Sequence, residues 1–179
     1  MLDPDNTGLI VVDVQGKLAR LVDNSDELIA RCAALIDGAR LLGLPVVWLE
    51  QNPDKLGQTV EELHQRLSDS QPITKFGFNA CEEPQFIKQI ELSHKTSWLI
   101  CGIEAHICVY QTALGLRDNE YDVHIVSDCV SSRREENKRL AINKLSSIGV
   151  SITGLEMCLY ELVQDCRSPA FKSILSLVK

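Results

Sequence analysis

The sequence predicts an α/β fold with three layers, α/β/α, built on a doubly wound, six-stranded and mostly parallel sheet. Short apolar runs alternate with amphipathic stretches along the chain, which is typical of strands joined by crossover helices. Runs such as LIVV at 9–12 and WLIC at 98–101 are apolar on both faces of a strand. That pattern indicates a sheet covered by helices on both sides.

The strands follow from these apolar runs. The run near 73–75 is the shortest, and the others are bounded by polar or turn-forming residues. The six strands are predicted at Gly8–Val14, Pro45–Glu50, Ile73–Lys75, Thr96–Ile103, Asp122–Ser127 and Val150–Thr153.

The helices carry start and stop signals. Ser25–Leu42 has apolar residues at helical spacing, ends at Gly43 and is followed by Pro45. Capping-box spacing is matched by Thr59 with Glu62, Ser132 with Glu135, and Thr153 with Glu156. The other helices are predicted at Glu83–Leu92, His106–Asn119, Arg134–Ile148, Glu156–Asp165 and Pro169–Leu177, with Asn52–Gln58 and Phe76–Cys81 as the longest loops.

Composition limits the class of protein. With 179 residues, 45% hydrophobic and 24% charged, the chain fits one globular domain over residues 1–179. A formal net charge of −7 and no basic stripe argue against nucleic acid as a partner. No secretory signal and no apolar run of membrane-spanning length is found, so no membrane association is expected. The seven cysteines, without a CxxC pair, are expected to be reduced thiols in the cytoplasm.

Three reactive side chains stand at or just after the carboxyl ends of predicted strands, where open parallel sheets form their sites. Asp13 closes LIVVD, Lys75 closes ITK, and Cys108 follows WLICGI in the first turn of the next helix. Each also has a purely structural interpretation. Asp13 could cap the following turn, Lys75 could be a solvated charge, and Cys108 could be a small core residue.

Together these three groups could carry out nucleophilic catalysis. A thiol needs a base, and Asp13 could take its proton and later return it to a leaving amine, while Lys75 holds Asp13 ionised. Amides at the helix start are expected to lower the pKa of Cys108 and to hold an oxyanion. Other chemistries lack their motifs, since GxGxxG, GxxxxGK, HExxH and GxSxG are all absent.

Four blocks of the sequence resemble the isochorismatase-like hydrolase family. They are LIVVDVQ with Asp13, TKFGFNA with Lys75, GIEAHICVYQTA with Cys108, and HIVSDCVSSR at 124–133. The resemblance runs from end to end and implies a Rossmann-like sheet with an Asp13–Lys75–Cys108 triad. It also implies a cis peptide at Ile103–Glu104 and an oxyanion hole made by the backbone N–H groups of Glu104 and Cys108.

The resemblance also distinguishes branches of the family. True isochorismatases lack the nucleophilic cysteine, so Cys108 indicates the amidase-type branch. The stretch WLEQNPDKLGQTV has no histidine where nicotinamidases carry a metal motif, so no catalytic metal and no cofactor is expected. The EQNPDKLGQTVEEL segment is similar to the isochorismatase domain-containing proteins of unassigned substrate.

The leading interpretation is a cysteine hydrolase that cleaves an amide-type C–N bond of a small-molecule substrate and forms a homo-oligomer. The alternative is a non-enzymatic, oligomeric ligand-binding or scaffold protein that kept the fold. A third possibility is redox sensing through Cys108, for which no resolving cysteine is near in sequence. The apolar stripe of Pro169–Leu177 could pack on its own chain or in a homo-oligomer.

Overall fold

A parallel six-stranded sheet runs through the middle of the molecule, as a computed structural model of residues Met1–Lys179 shows. Helices cover both faces, which confirms the predicted three-layer α/β/α fold. The strands are β1 Thr7–Val12, β2 Val46–Gln51, β3 Ile73–Lys75, β4 Ser97–Ile103, β5 Asp122–Ser131 and β6 Ser151–Thr153.

The strand order is β3-β2-β1-β4-β5-β6, and all five pairings are parallel. The chain winds from β1 outwards to β3, then returns to place β4 on the other side of β1. The order therefore reverses between β1 and β4, where open α/β sheets form a crevice at the carboxyl ends of their strands. Asp13 follows β1 and Cys108 follows β4, so the topology directs both residues to this crevice.

Two helical layers enclose the sheet because side chains alternate along each strand. On β1, Leu9 and Val11 belong to one apolar cluster, and Ile10 and Val12 belong to the other. The helices are α1 Gly16–Leu21, α2 Ser25–Leu41, α3 Pro53–Leu56, α4 Glu61–His64, α5 Pro84–Leu92, α6 Tyr110–Asp118, α7 Glu135–Ser147, α8 Leu155–Val163 and α9 Phe171–Leu177. The first cluster includes residues of α2, α8 and α9, and the second includes residues of α5, α6 and α7.

Short helical turns lie where loops were expected. Helix α3 occupies most of the predicted Asn52–Gln58 loop, and a 3-10 turn at Ala80–Glu82 follows β3. Helix α1 was not predicted, and β5 continues to Ser131, four residues beyond its predicted end at Ser127.

The three predicted capping boxes are wrong. The helices concerned begin after Val60, Arg134 and Gly154, and none of these residues caps its helix with a side chain. Two of the proposed capping hydroxyls bond elsewhere, since Thr59 donates to Glu50 and Ser132 pairs with His106.

The last helix, α9, packs on its own chain. Ile174 is completely buried in the first apolar cluster, and Phe171 meets Tyr160 of α8 edge to face at 6.0 Å between ring centroids. The apolar stripe of α9 therefore does not require a partner subunit. None of the helices combines the length and the apolar character needed to cross a membrane.

Candidate active site

The residues after β1, β3 and β4 converge at one edge of the sheet. Val12 at the end of β1 is level with Gly102 on β4, and Gln51 at the end of β2 is level with Lys75 on β3. This register brings Lys75 across β2 to Asp13, as the predicted crevice requires.

A buried ion pair joins Asp13 and Lys75. Lys75 Nζ lies 2.7 Å from Asp13 Oδ2, and the side chains are 1% and 3% exposed. The ammonium also donates to Gln51 Oε1 at 2.6 Å and to the Gly77 carbonyl at 3.4 Å. Three acceptors match the three N–H groups of an ammonium, so Lys75 holds Asp13 rather than offering a free donor to a substrate.

The two carboxylate oxygens of Asp13 have different surroundings. Oδ2 accepts from Lys75, whereas the buried Oδ1 accepts no hydrogen bond of regular geometry, and the Cys108 thiol is a further polar group near the carboxylate. Burial raises the pKa of Asp13 above its usual value, and this is partly offset by Lys75 and by the Cys108 thiol. A buried carboxylate beside a thiol could accept a proton from it.

Asp13 also has an unusual backbone conformation. Its φ is +52°, in the left-handed region that few residues other than glycine adopt. Aspartate and asparagine tolerate this region better than most residues. The conformation turns the chain sharply from β1 into the segment before α1.

Cys108 lies in a π-helical turn, Ala105–Val109, that leads into α6. It is largely buried, and burial together with the charge of Asp13 raises its pKa to about 12, against a smaller opposing effect of Lys75. The expectation that the helix start would lower this pKa is therefore wrong. Loss of water and the nearby Asp13 carboxylate both favour the neutral thiol.

Two side-chain links tie the Cys108 turn to the segment after β5. Glu104 accepts from the Arg133 backbone at 3.0 Å and from Arg133 Nε at 3.1 Å. His106 Nδ1 lies 2.9 Å from Ser132 Oγ. The peptide bond between Ile103 and Glu104 is cis, as the resemblance implies.

Two glutamines that the sequence analysis did not single out support the ion pair. Gln15 is completely buried and pairs with the Gln51 backbone, accepting from its N–H at 2.7 Å and donating to its carbonyl at 3.2 Å. Gln51 in turn holds Lys75. Gln51 ends β2 just as Lys75 ends β3, so the strand-end criterion could have identified it.

A second buried carboxylate fixes the loop beside the site. Glu50 Oε1 accepts from both the backbone N–H and the hydroxyl of Thr59, at 2.7 and 2.8 Å. Gln15 also donates to the Gly57 carbonyl at 2.7 Å. These bonds hold the segment that contains Leu56 against the site.

A pocket of about 140 Å³ opens beside Cys108 and Asp13. The apolar residues of its wall are Leu18, Leu56, Phe78, Ile103 and Ile107. Lys75 does not line it, and its ammonium is buried against Asp13, Gln51 and the Gly77 carbonyl. No group of three or more His, Cys, Asp or Glu side chains is arranged to hold a metal ion.

A family model described as "Isochorismatase domain" matches residues 7–157 of this chain. The chain belongs to the isochorismatase family. The match spans β1 to the start of α8 and therefore includes every residue of the pocket.

Several isochorismatase-family relatives align over nearly the whole chain. A Phytophthora sojae protein named "Secreted isochorismatase effector Isc1" is 35% identical over 99% of this chain and 87% of its own length. The zebrafish "Isochorismatase domain-containing protein 1" is 34% identical over 99% of this chain and 62% of its own. These relatives confirm the family that the four sequence blocks indicated.

Solved structures share the same architecture. A Caenorhabditis elegans protein described as MAR1 ribonuclease has a TM-score of 0.91 at 34% identity, with 99% of this chain and 91% of that chain covered. The Escherichia coli YcaC gene product, described as an octameric hydrolase of unknown specificity, has a TM-score of 0.93 at 25% identity, with 98% and 89% covered. A Pseudomonas aeruginosa YcaC structure, described as containing hexane-2,5-diol and covalent acrylamide, has a TM-score of 0.92 at 26% identity, with 98% and 90% covered.

Proposed function

We propose that this isochorismatase-family hydrolase cleaves an amide-type C–N bond of a small molecule, with Cys108 as nucleophile and Asp13 as proton shuttle. The observation that carries the proposal is the position of Asp13 between two groups, with Oδ2 on the Lys75 ammonium and the carboxylate close enough to the Cys108 thiol for each to shift the pKa of the other. A neutral thiol beside a carboxylate can be deprotonated as it attacks.

The proposed reaction has two halves. Cys108 Sγ attacks the carbonyl carbon while its proton passes to Asp13 Oδ1. Asp13 then returns the proton to the nitrogen as the C–N bond breaks, leaving a thioester and a free amine or ammonia. Water attacks the thioester, giving one proton to Asp13, which passes it to the departing Cys108 thiolate, and the product leaves as a carboxylic acid.

Two further roles belong to the same proposal. Lys75 keeps Asp13 ionised despite its burial, because an adjacent ammonium opposes the effect of desolvation. The backbone N–H groups of Glu104 and Cys108 are proposed to stabilise the tetrahedral oxyanion, the part that preorganised donors play in acyl transfer. The cycle consumes only water, so we propose no metal or cofactor in it.

The test is a panel of small amides, ureides and carbamoyl compounds, assayed for ammonia or amine release. Cys108→Ala should lose at least about 1,000-fold in turnover, as expected for removal of a nucleophile. Cys166→Ala is the matched control, because Cys166 is exposed and remote in sequence from the site. Mass spectrometry of rapidly quenched wild-type protein should detect the thioester on Cys108. Release that persists in Cys108→Ala would overturn the proposal.

The comparisons offer one supporting and one competing indication. The Pseudomonas aeruginosa YcaC structure is described as containing covalent acrylamide, and because this reagent alkylates nucleophiles through its C=C bond, the adduct supports a nucleophilic side chain in that protein rather than amide cleavage itself. The Caenorhabditis elegans relative is described as a ribonuclease, which would favour RNA cleavage instead. This chain has a net charge of −7 and two carboxylates lining its pocket, which disfavours a polyanion. Including RNA in the panel decides between them.

The non-enzymatic scaffold remains the alternative from a different class. It predicts no Cys108-dependent release from any compound in the panel. The intact Asp13, Lys75 and Cys108 arrangement favours the enzyme, because a buried ion pair and an unpartnered carboxylate oxygen are costly features to retain for packing alone.

We propose a cytoplasmic, homo-oligomeric protein. All seven cysteines are unpaired, which favours a reducing compartment. The secreted Phytophthora relative makes a direct test necessary, and cell fractionation with an antibody provides it. The octameric YcaC structure supports an oligomer.

A further inference from the structure

The pocket beside Cys108 combines an apolar wall with charged lining residues that are all acidic. Leu18, Leu56, Phe78, Ile103 and Ile107 form most of its lining. Its charged lining residues are Asp13 and Glu104, both acidic, and no lysine, arginine or histidine lines it.

The two nearby cations, Lys75 and Arg133, face these carboxylates and do not line the pocket. Lys75 is 1% exposed and its ammonium contacts three acceptors, as described above. Arg133 directs Nε and its backbone N–H to the Glu104 carboxylate. An anionic group entering the pocket would lose water, meet no cation in the lining and lie near Asp13, which disfavours its binding.

Resting on the proposed function, we infer that the site selects small uncharged amides with an apolar acyl group and rejects amides whose acyl chain ends in a carboxylate. The apolar wall receives the acyl chain, while the carbonyl carbon faces Cys108. The inference excludes dicarboxylate substrates such as isochorismate, despite the family name.

The size of the pocket limits the acyl group. A volume of about 140 Å³ is close to that of an apolar cavity of about 150 Å³ that accommodates benzene. Leu56 and Phe78 are 36% and 52% exposed, so they lie at the mouth and the leaving group can project past them. The acyl group is therefore expected to hold about six non-hydrogen atoms.

A pair of amides of the same shape tests the selectivity. 4-Methylpentanamide and succinamate share one skeleton and differ only in an isopropyl against a carboxylate group. We expect kcat/KM to favour the neutral amide by at least about 100-fold. Leu56→Arg, which places a cation at the mouth, should reduce that preference at least about tenfold, and Leu92→Arg, an exposed leucine on α5, should leave it unchanged.

A covalent probe separates this inference from the proposed function. Iodoacetamide and iodoacetate each alkylate a thiol, with Sγ displacing iodide from carbon and the thiol proton released to Asp13 or water. Mass spectrometry gives, for each cysteine, the rate of alkylation by iodoacetamide divided by the rate of alkylation by iodoacetate. This ratio should be at least about tenfold greater at Cys108 than at exposed Cys166 of the same molecules.

The outcomes are distinct. Equal ratios at the two cysteines, or turnover of succinamate as fast as of 4-methylpentanamide, overturn the inference and leave Cys108 hydrolysis standing. Absence of turnover for every amide, charged or neutral, overturns the proposed function itself. A neutral preference in both assays, reduced by Leu56→Arg, supports the inference.

Discussion

Asp13 shows at the scale of one residue how a neighbouring ammonium can offset the effect of burial on a carboxylate. Desolvation raises its pKa and Lys75 opposes that effect. Lys75 contacts Oδ2, so Oδ1 stays open for a proton. The proposed catalytic form is the ionised one, and activity should therefore fall when Asp13 becomes protonated.

The first prediction concerns the acid limb of the pH profile. Because the pKa of Asp13 lies above its ordinary value of 3.8, kcat/KM should begin to fall at a pH above 3.8. Lys75→Met removes the cation that lowers this pKa, so the acid limb should move to higher pH and activity at neutral pH should drop at least about tenfold. Lys95→Met, the same change at a lysine that donates to the Asp5 carbonyl on the exposed surface, is the control.

A double variant shows whether the loss of activity in Lys75→Met results only from loss of folding. Breaking a buried pair destabilises by about 3–5 kcal/mol because one charge is left alone. Lys75→Met with Asp13→Asn removes both charges and should recover much of that stability in urea titrations, while staying inactive. An unmoved acid limb in folded Lys75→Met would contradict the proposed role of Lys75.

The second prediction concerns the buried thiols. Burial and the charge of Asp13 raise the pKa of Cys108 from 9.0 to about 12, and Cys158 shifts in the same direction. Between pH 9 and pH 12 the Cys108 thiol loses its proton in the unfolded chain but keeps it in the folded chain. The free energy of unfolding is therefore unaffected by this group below pH 9 and falls above pH 9. From pH 9 to 10.5, Cys108 alone should remove about 2 kcal/mol.

Urea titrations at several alkaline pH values measure this loss. Cys108→Ala should flatten the dependence of the free energy of unfolding on pH, and Cys166→Ala, at an exposed position, should not. The same pKa means that Cys108 is not the fastest thiol to alkylate at neutral pH, since exposed Cys166 competes. A stability that is constant up to pH 10.5 would rule out the raised pKa values.

At the scale of elements, most residues of the candidate site could be predicted from the positions at which strands end. Asp13, Lys75 and Cys108 could be found from sequence because each follows an apolar run, and parallel strands bring such positions to one edge. Gln51 met the same criterion and was missed, because an uncharged side chain suggests no reactivity. Gln15 could not be found in this way, since its role depends on a hydrogen bond to a strand 36 residues away.

The capping errors have a related cause. A Ser/Thr–x–x–Glu spacing describes local competition for helix amides, whereas Thr59 and Ser132 bond to Glu50 and His106, which come from other elements. Helices α1 and α3 have 6 and 4 residues, too few for a periodic apolar pattern to stand out. The long strands and helices were predictable because their patterns repeat.

The third prediction concerns the approach of β1 to β4. Gly102 has a φ of +119°, and a Cβ there would lie 2.0 Å from the Val12 carbonyl oxygen on the neighbouring strand. Gly102→Ala must therefore separate the two strands whose ends carry Asp13 and Cys108. We expect a destabilisation of at least about 3 kcal/mol, measured by urea unfolding, and loss of amide turnover in any folded fraction.

Gly149→Ala is the matched control for Gly102. Gly149 also has a positive φ, +90°, but a Cβ there would meet nothing within 4 Å. It should cost only the conformational strain of a left-handed alanine, about 1–2 kcal/mol, and leave turnover intact. Equal destabilisation by the two substitutions would show that strand contact at Gly102 is unimportant.

At the scale of the whole molecule, the winding of the chain assembles a site from residues 95 positions apart. Asp13 and Cys108 meet because β4 returns to the side of β1 after the chain has built β2 and β3. The loop with Leu56 and the segment with Phe78, which belong to that first half, then close over the site. The site thus depends on both halves of the sheet, and we propose that residues 1–179 work as one domain.

The final prediction concerns assembly, and it follows from what the fold leaves uncovered. Helix α9 packs on its own chain, but Phe78, which lines the pocket, is 52% exposed, and Phe76, two residues before it, is 70% exposed. Exposed aromatic residues grouped at a functional opening are typical of a surface that another protein chain covers. Because the YcaC relative is octameric, we expect this face to meet a second copy of the chain.

Light scattering at micromolar concentration should give a multiple of 19.9 kDa. Phe76→Asp should shift the mass towards the monomer, whereas Leu140→Asp, which charges an exposed leucine on α7, should not. A wild-type particle of 19.9 kDa would contradict this prediction, and so would an oligomer whose mass Phe76→Asp does not change. Either result would show that no second copy covers the pocket mouth and that only Leu56 and Phe78 border it.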